Sequence, residues 1–291
     1  MQHFQFMFRS LPVAAVAIAN LIGCSGSDNG GTNGSGGNGG ASASGGVSAI
    51  GGNTSTGTTS NGAVGGSVST GGAQGAPIAG LQPQTWIWVP FADAYCRDGS
   101  TTGIGINVNP ASTQLMIFLE GGGACFNEIT CGLNPQSFGA SDFSTYASDV
   151  QYGGGAGIFN RNDAANPVKD WNFVYIPYCT GDVHSGNNST GAIASLGPQK
   201  FVGYANIGQY LQRIVPTFPG VTQVLLTGIS AGGFGAAANY IQVANKFGSV
   251  PVYLLDDSGP MMDSPYVPAC LAQLFIQNVE PRQDHISRLR K

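Results

Sequence analysis

Short apolar runs separated by polar or glycine-rich segments dominate the chain from residue 102 to residue 255. The run Gln114–Leu119 has the continuous apolar character of a buried strand, and Val202–Val215 has apolar positions at helical spacing. The full pattern predicts strands at 102–109, 114–119, 171–178, 221–226 and 250–255, and helices at 202–215 and 235–246. Prolines at 216 and 219 are expected to end the first helix, and the glycine and proline breakers within 132–170 predict a loop-rich segment. Strands that alternate with helices indicate an α/β fold, a mostly parallel sheet with crossover helices.

One strand-to-helix junction carries a candidate nucleophile. Residues 227–233 read Thr-Gly-Ile-Ser-Ala-Gly-Gly and lie between the apolar run 224–226 and the second predicted helix. A strand that turns abruptly into a helix can hold a serine exposed at a strained apex, and flanking glycines allow so tight a turn. Ser230 is therefore the candidate nucleophile. The alternative interpretation is a glycine-rich turn before a packed helix.

The strand predicted at 114–119 runs into a second glycine-rich segment, Glu-Gly-Gly-Gly-Ala-Cys at 120–125. A serine nucleophile creates a tetrahedral oxyanion, which needs hydrogen-bond donors that are already in position. Residues with small side chains let backbone N–H groups point at such an oxyanion. Gly122 and Gly123 are the candidate donors, and the N–H group of Ala231 is the third. The alternative is a flexible loop without a catalytic role.

Four segments, in this order along the chain, resemble motifs of the pectin acetylesterase/Notum carboxylesterase family. They are 118–126 (FLEGGGACF), 178–186 (YCTGDVHSG), 228–233 (GISAGG) and 256–259 (DDSG). The resemblance extends from about Trp86 to Asp263. It implies an α/β-hydrolase fold and hydrolysis of carboxylic esters without a cofactor. It also implies that Ser230 is the nucleophile and that Gly122, Gly123 and Ala231 form the oxyanion hole.

The composition of the first 80 residues predicts export and tethering rather than a folded core. Residues 1–24 resemble a lipoprotein export signal, with a short apolar run, Leu11–Ile22, that ends at a lipobox whose Cys24 would carry the lipid. An ordinary cleaved signal peptide is the alternative. Residues 25–80 are mostly Gly, Ser, Thr, Asn and Ala, which predicts a disordered tether, and residues 81–291 are the predicted hydrolase domain. The expected location is the bacterial cell envelope, with the protein lipid-anchored or secreted.

The cysteines are consistent with an oxidising compartment. Cys125 and Cys131 are close enough along the chain to staple the loop after the oxyanion strand, and Cys96 and Cys179 match family cysteine positions, which implies that they pair. Cys270 is left without a partner. Metal ligation is the less favoured interpretation, because the cysteines lack paired Cys-x-x-Cys spacing and histidines are scarce. The chain has a net charge of −4 and no basic cluster, so nucleic acid is not an expected partner.

The base and the acid that a serine nucleophile needs are hard to find in this sequence. In hydrolases of this fold the order is Ser, then Asp or Glu, then His. Of the three histidines, His3 falls in the export signal, His184 precedes Ser230, and His285 lies in a charged segment near the last residue. Asp257 is the best carboxylate after Ser230, but the resemblance assigns it to a strand end. The expectation is that the catalytic His and Asp are absent, with His285 and Asp257 as weak candidates. The chain is expected to be truncated or frameshifted relative to a complete enzyme and to lack the last strands of the sheet.

Three functions are consistent with these observations. The favoured one is a serine carboxylester hydrolase that removes acetyl groups from pectin or a related polysaccharide, with no cofactor and a lipid anchor to the membrane. The second is a non-catalytic, surface-anchored remnant that keeps the cleft but lacks the base. The third is an esterase for another acyl group, on a lipid or on acetylated xylan. Pocket depth would decide, because a long acyl chain needs a deep apolar pocket.

Overall fold

The computed structural model describes residues 75–259, which lie in the second of two compact units of the chain, Gly71–Lys291. The described residues form eight strands, four α-helices and one 3₁₀ helix. In chain order these are β1 (Trp86–Tyr95), β2 (Thr101–Asn107), β3 (Gln114–Leu119), α1 (Glu128–Leu133), α2 (Ala140–Ser148), the 3₁₀ helix (Gly157–Phe159), β4 (Asn172–Ile176), β5 (Asn188–Ile193), β6 (Gly197–Phe201), α3 (Gly203–Thr217), β7 (Gln223–Ile229), α4 (Ala231–Phe247) and β8 (Val252–Asp257).

Six strands form the central sheet in the order β1-β2-β4-β3-β7-β8. The strands β4, β3, β7 and β8 are parallel, whereas β1 and β2 are antiparallel to their neighbours. This arrangement confirms the predicted mostly parallel sheet. Strands β5 and β6 form a separate antiparallel hairpin. The carboxyl ends of β3, β7 and β8 therefore meet at one edge, where sheets of this kind place their sites.

Alternating side chains of β3 divide the core into two layers. Leu115, Ile117 and Leu119 belong to the layer that α3 and α4 cover, where Ile207 and Val243 are buried. On the other face of the sheet Met116 packs with aromatic side chains from β1, β4, α2 and the 3₁₀ helix: Trp86, Trp88, Phe143, Tyr146, Phe159, Phe173 and Tyr175. Both faces of the strand are covered, which explains why its sequence is continuously apolar rather than alternating.

The predicted tether extended too far, because residues 75–80 pack against α3. Ile78 is buried in the core, and its N–H group donates to the Thr217 hydroxyl at 2.8 Å. A second contact of this segment, from Gly75 to α3, accompanies a correction to the prediction that Pro216 ends the helix. Pro216 has no N–H group to bond the carbonyl of Gln212, and the N–H group of Gly75 donates to that carbonyl instead, at 3.0 Å. The helix thus continues to Thr217.

Segment 132–170 contains more helix than its composition predicted. Helix α2 begins after Gly139, whose N–H group donates to the Asp142 carboxylate, and it buries Phe143 against the sheet. The predicted element list also lacks β1 and the β5–β6 hairpin. Pro90 occurs within β1, and a strand at the edge of the sheet accepts proline because its outer N–H groups need no partner.

Several predictions concern residues outside 75–259. These include the lipobox with Cys24, most of the tether, Cys270 and His285, all of which lie outside the described residues. Within the described residues, no helix is both long enough and apolar enough to span a bilayer.

Candidate active site

Ser230 occupies the turn between β7 and α4 in a strained backbone conformation. Its φ of 56° and ψ of −118° lie in a region that L-amino acids rarely adopt, and such strain is concentrated at functional sites. The backbone N–H group of Ser230 donates to the carbonyl oxygen of Asp257 at 2.9 Å, which ties the turn to the end of β8. The side chain of Ser230 is exposed, and no side chain of residues 75–259 forms a hydrogen bond to its hydroxyl. The geometry is that of a nucleophile elbow.

Two glycines are required by close backbone contacts at this turn. A Cβ atom on Gly232 would lie 2.0 Å from the carbonyl oxygen of Leu119, at the end of β3. A Cβ atom on Gly228 would lie 2.4 Å from the carbonyl oxygen of Gly232. Neither position can hold a side chain without moving the backbone, so these glycines allow the elbow to sit directly against β3.

The register of the sheet brings the predicted oxyanion loop beside Ser230. Leu119 of β3 pairs with Gly228 of β7, so both chains leave the sheet at the same level. A Cβ atom on Gly121 would lie 3.3 Å from the Cβ atom of Ser230, which places this loop in contact with the serine. Gly122 and Gly123 follow and are exposed, and Ala231 is the first residue of α4. The structure thus brings together the loop and the helix start that carry the predicted oxyanion donors.

The Glu120 side chain links the start of the oxyanion loop to the segment that follows β4. Its Oε2 atom accepts the backbone N–H group of Tyr178 at 2.8 Å, and its own N–H group donates to Ile176. Burial of the carboxylate raises the pKa of Glu120, and the hydrogen bond from Tyr178 opposes that rise. Glu120 therefore belongs to the support of the loop, a role that the sequence motif alone did not reveal.

His184 is buried beneath the same loop and has a structural bond of its own. Its Nε2 atom lies 2.9 Å from the carbonyl oxygen of Glu120. A carbonyl oxygen only accepts, so we assign the proton to Nε2. Burial lowers the pKa of His184 to about 4, and the Glu120 carbonyl opposes that shift, so the imidazole is neutral at pH 7. It is the one imidazole among residues 75–259, and its Nε2 atom bonds the loop carbonyl rather than the Ser230 hydroxyl.

Asp182 organises the loop in which Tyr178 and His184 lie. Its carboxylate is fully buried and accepts the Thr180 hydroxyl at 2.6 Å and the backbone N–H groups of His184 and Gly203 at 3.1 and 2.7 Å. Burial raises the pKa of Asp182, and these hydrogen bonds oppose that rise. In the sequence, Asp182 is visible only as an aspartate among small residues of the 178–186 motif, and that pattern does not reveal its role as an anchor.

Both predicted disulfides are confirmed. Cys96 pairs with Cys179 and Cys125 pairs with Cys131. Arg97, a buried cation that no sequence motif indicates, lies beside both disulfides. Its guanidinium donates to the carbonyl oxygen of Cys131 at 2.9 Å and to the Gln199 side chain at 2.7 Å. Burial lowers the pKa of Arg97, an effect that nearby Tyr178 and Asp98 oppose.

The structure places Asp257 at the end of β8, paired with Ile229 of β7. Its carboxylate is exposed and accepts the Ser258 hydroxyl at 2.9 Å. The neighbouring Asp256 accepts the N–H group of Gly259, and partial burial raises its pKa, as does the charge of Asp257. Within residues 75–259, neither carboxylate contacts an imidazole, and no group of three His, Cys, Asp or Glu side chains could hold a metal ion. The described residues thus bring the candidate nucleophile and the candidate oxyanion donors together, and they place no imidazole beside the Ser230 hydroxyl.

Comparison with known proteins identifies relatives of the chain. The sequence model of the Pectinacetylesterase family matches residues 84–287. The palmitoleoyl-protein carboxylesterase notum2 of Xenopus laevis is 34% identical over 179 residues, which are 58% of this chain and 35% of that protein. The palmitoleoyl-protein carboxylesterase NOTUM of Homo sapiens is 30% identical over 178 residues, which are 58% of this chain and 34% of that protein.

A solved structure shows the same fold. The Wnt deacylase Notum from Drosophila superposes with a TM-score of 0.51 at 23% sequence identity, covering 68% of this chain and 61% of that chain. This similarity confirms the α/β-hydrolase-like fold of the central sheet. The match to the curated relatives covers only about a third of their length, 35% and 34% for the two proteins above.

Proposed function

The chain belongs to the pectinacetylesterase family, and on that premise we propose that it is a serine carboxylester hydrolase with Ser230 as its nucleophile. The observation that carries this proposal is the position of Ser230. It is exposed at a strained turn, with the glycine loop after β3 in contact with it. Such a conformation costs about 1–3 kcal/mol, and strain of this kind is concentrated at active sites.

The proposed reaction is a double displacement. The Ser230 Oγ atom attacks the ester carbonyl carbon, and its proton passes to a base. The N–H groups of Gly122, Gly123 and Ala231 donate to the oxyanion that forms. The carbon–oxygen bond to the alcohol then breaks, and the alcohol takes the proton from the base. Water then attacks the carbonyl carbon of the acyl-serine and gives a proton to the base. The bond to the Ser230 Oγ atom breaks, the base returns the proton to that oxygen, and the carboxylic acid leaves.

The base in this scheme is a side chain other than His184, because the Nε2 atom of His184 is engaged with Glu120. His285 is the histidine that follows Ser230 in the sequence. Its replacement, His285→Ala, should abolish turnover if His285 is the base. Full turnover by this variant would exclude His285 and would assign the proton transfer to another group.

We propose acetyl groups on pectin or a related polysaccharide as the substrate. The family's name supports this choice, and so does the exposed glycine loop, since Gly122 and Gly123 place no side chain over Ser230 that would exclude a polymer. The named relatives act on a palmitoleoyl group, which makes a long acyl chain the competing substrate. A series of p-nitrophenyl esters from acetate to palmitate separates the two. The rates of acetate release from acetylated pectin and from acetylated xylan then show which polymer is the better substrate.

The nucleophile is tested by p-nitrophenyl acetate hydrolysis with the full chain. We expect Ser230→Ala to reduce kcat by about 10⁴-fold or more, since the attacking atom is lost. The matched control is Ser189→Ala, which removes an exposed serine hydroxyl on β5 and should leave the rate unchanged. A fluorophosphonate probe should label Ser230, as shown by mass spectrometry of the labelled peptide. A folded protein that neither turns over ester nor reacts with the probe is the non-catalytic remnant.

We also propose that Cys24 carries a lipid that holds the enzyme at a bacterial cell envelope, as the lipobox-like sequence before it indicates. The Cys24→Ser variant should move from the membrane fraction to the soluble fraction and should fail to incorporate a labelled fatty acid. Cys270→Ser is the matched control, because no export signal of the kind predicted at residues 1–24 directly precedes Cys270. Membrane association that survives in Cys24→Ser would contradict the anchor.

A further inference from the structure

Both loop glycines that are proposed as oxyanion donors contact a single side chain, Tyr178. A Cβ atom on Gly122 would lie 2.5 Å from the Cδ1 atom of Tyr178, so the ring packs directly against this glycine. The Tyr178 hydroxyl donates to the carbonyl oxygen of Gly123 at 2.7 Å. Tyr178 is only 1% exposed, so water does not compete for these contacts.

The direction of the Tyr178 hydroxyl hydrogen is fixed by a second bond. The backbone N–H group of Val183 donates to the same hydroxyl oxygen at 2.9 Å. An N–H group cannot accept, so the hydroxyl hydrogen points to Gly123. Burial raises the pKa of Tyr178 well above its ordinary value, which keeps the hydroxyl protonated and able to donate.

Tyr178 also holds the other end of the loop. Its backbone N–H group donates to the Glu120 carboxylate at 2.8 Å, and its ring lies against the ring of His184, which bonds the Glu120 carbonyl. One residue therefore contacts the loop at Glu120, Gly122 and Gly123. Gly123 has a φ of 81°, and with no side chain of its own it relies on outside contacts to hold one conformation.

We propose that Tyr178 is a positioning residue that fixes the Gly122 and Gly123 N–H groups in the direction of the developing oxyanion. The inference rests on the proposed function, since it assumes that these groups bind an oxyanion. Donors contribute most to catalysis when their orientation is set before the reaction. A buried hydroxyl that bridges the loop carbonyl and a neighbouring turn supplies that orientation without touching the substrate.

The decisive experiment compares Tyr178→Phe with Tyr210→Phe in ester hydrolysis by the full chain. Each variant removes one hydroxyl from a buried tyrosine. The Tyr210 hydroxyl forms no hydrogen bond within residues 75–259 and lies in the helix layer of the core. We expect Tyr178→Phe to lower kcat about 10- to 100-fold with KM changed less than about twofold, because the lost interaction acts on the transition state. We expect Tyr210→Phe to change neither constant.

A purely structural tyrosine would give a different result. If a folded Tyr178→Phe protein keeps its kcat, or if KM rises while kcat stays constant, the positioning role is wrong. Equal losses in both variants would also overturn it, since they would reflect general loosening of the core. Circular dichroism and thermal unfolding establish that each variant is folded before its kinetics are compared.

Amide hydrogen exchange tests the same contact without turnover. In the wild-type protein the Val183 and Cys125 amides should be protected, because they donate to the Tyr178 hydroxyl and to the Gly181 carbonyl. Tyr178→Phe should accelerate exchange at both sites by about tenfold or more, whereas Tyr210→Phe should not. An unprotected Val183 amide in the wild type would overturn the proposal even if the variant failed to fold. If neither ester nor fluorophosphonate reacts with the wild type, the proposed function fails, and exchange alone decides the Tyr178 contact.

Discussion

The two strands that flank β7 differ sharply where they end beside Ser230. On the β3 side, the loop of residues 120–125 is held by the buried side chains of Tyr178 and His184 and by the half-buried side chain of Glu120. On the β8 side, the apolar side chains of Tyr253, Leu254 and Leu255 are 55, 41 and 50% exposed. There Asp257 holds the turn through its backbone carbonyl, while its carboxylate faces solvent.

This difference separates two tasks of the proposed catalysis. Oxyanion binding uses backbone N–H groups, whose directions are set by local glycines and by the buried polar groups that hold them. Proton transfer uses side chains, which any later segment of a chain can supply. A buried polar group that loses its partner is costly, so a network of this kind admits few alternative arrangements. The β3 side therefore specifies its geometry within the described residues, and the β8 side does not.

The largest predicted effect concerns the disulfides, both of which lie on the β3 side. The cysteines of the Cys96–Cys179 pair are 83 residues apart, and those of the Cys125–Cys131 pair are 6 apart. A cross-link stabilises mainly by restricting the unfolded chain, and the effect grows with loop length. Replacing the first pair with alanines should cost about 4 kcal/mol of unfolding free energy, and replacing the second about 2 kcal/mol. Guanidinium unfolding of both double variants measures the difference.

The opposite order of the two unfolding free-energy losses would also be informative. If loss of the Cys125–Cys131 pair costs more than loss of the Cys96–Cys179 pair, the short bridge acts by holding the folded loop rather than by restricting the unfolded chain. Ester turnover by the two variants then shows whether the conformation of the oxyanion loop depends on the Cys125–Cys131 disulfide. Each double variant serves as the control for the other, since both replace one disulfide-bonded pair of cysteines with two alanines.

The next prediction concerns pH and uses the buried imidazole. The pKa of His184 falls from 6.5 to about 4 on folding. Between these values the unfolded chain binds a proton that the folded chain does not, so stability should fall as pH decreases from about 6.5 to 4. The shift corresponds to about 3 kcal/mol. Urea unfolding at pH 7 and pH 4.5 would show it.

The carboxylates of Glu120 and Asp182 change stability with pH in the opposite direction to His184. The pKa values of Glu120 and Asp182 are raised by burial, so the folded chain binds their protons first and stability increases as pH falls through those pKa values. The comparison of wild type with His184→Gln isolates the imidazole, because the carboxylates remain in both proteins. The variant should lose less stability on acidification than the wild type. Equal losses would mean that His184 is protonated in the folded protein.

The elements that could be predicted from sequence are those with a local pattern. The apolar run 114–119 predicts β3 at the bounds that the structure has, Gln114–Leu119. The glycines at 228 and 232 predict the Ser230 turn, and in the structure backbone atoms lie where their side chains would be. Helix α3 was also located, but its last turn depends on Gly75 bonding the carbonyl that Pro216 leaves free. That contact joins residues more than a hundred positions apart, and a local pattern carries no information about it.

The supports of the site could not be predicted for the same reason. Tyr178 lies 55 residues after Gly123, and Arg97 lies 34 residues before Cys131. A tyrosine in an apolar segment is typical of any core, and only the fold shows that its hydroxyl reaches a loop carbonyl. Motif resemblance identified the segment around Tyr178 without assigning a task to the residue. The glycines and serine of a site are thus visible in sequence, whereas the groups that orient them are not.

The smallest predicted effect tests the β8 side directly, through Asp257→Asn. The exposed Asp257 carboxylate accepts one hydrogen bond within the described residues, from Ser258, and its replacement should change stability by less than about 0.5 kcal/mol. Asp256→Asn is the matched control and should cost about 1 kcal/mol, because Asp256 bonds the Gly259 N–H group and packs against Gly233. A triad aspartate behaves differently, since its replacement by asparagine lowers kcat by about 10⁴-fold. We expect ester turnover by Asp257→Asn to match the wild type, because its carboxylate contacts no imidazole in the described residues. A loss of about 10⁴-fold in kcat would identify Asp257 as the triad aspartate. The β8 side would then also contribute a catalytic group, and the contrast between the two sides of Ser230 would no longer hold.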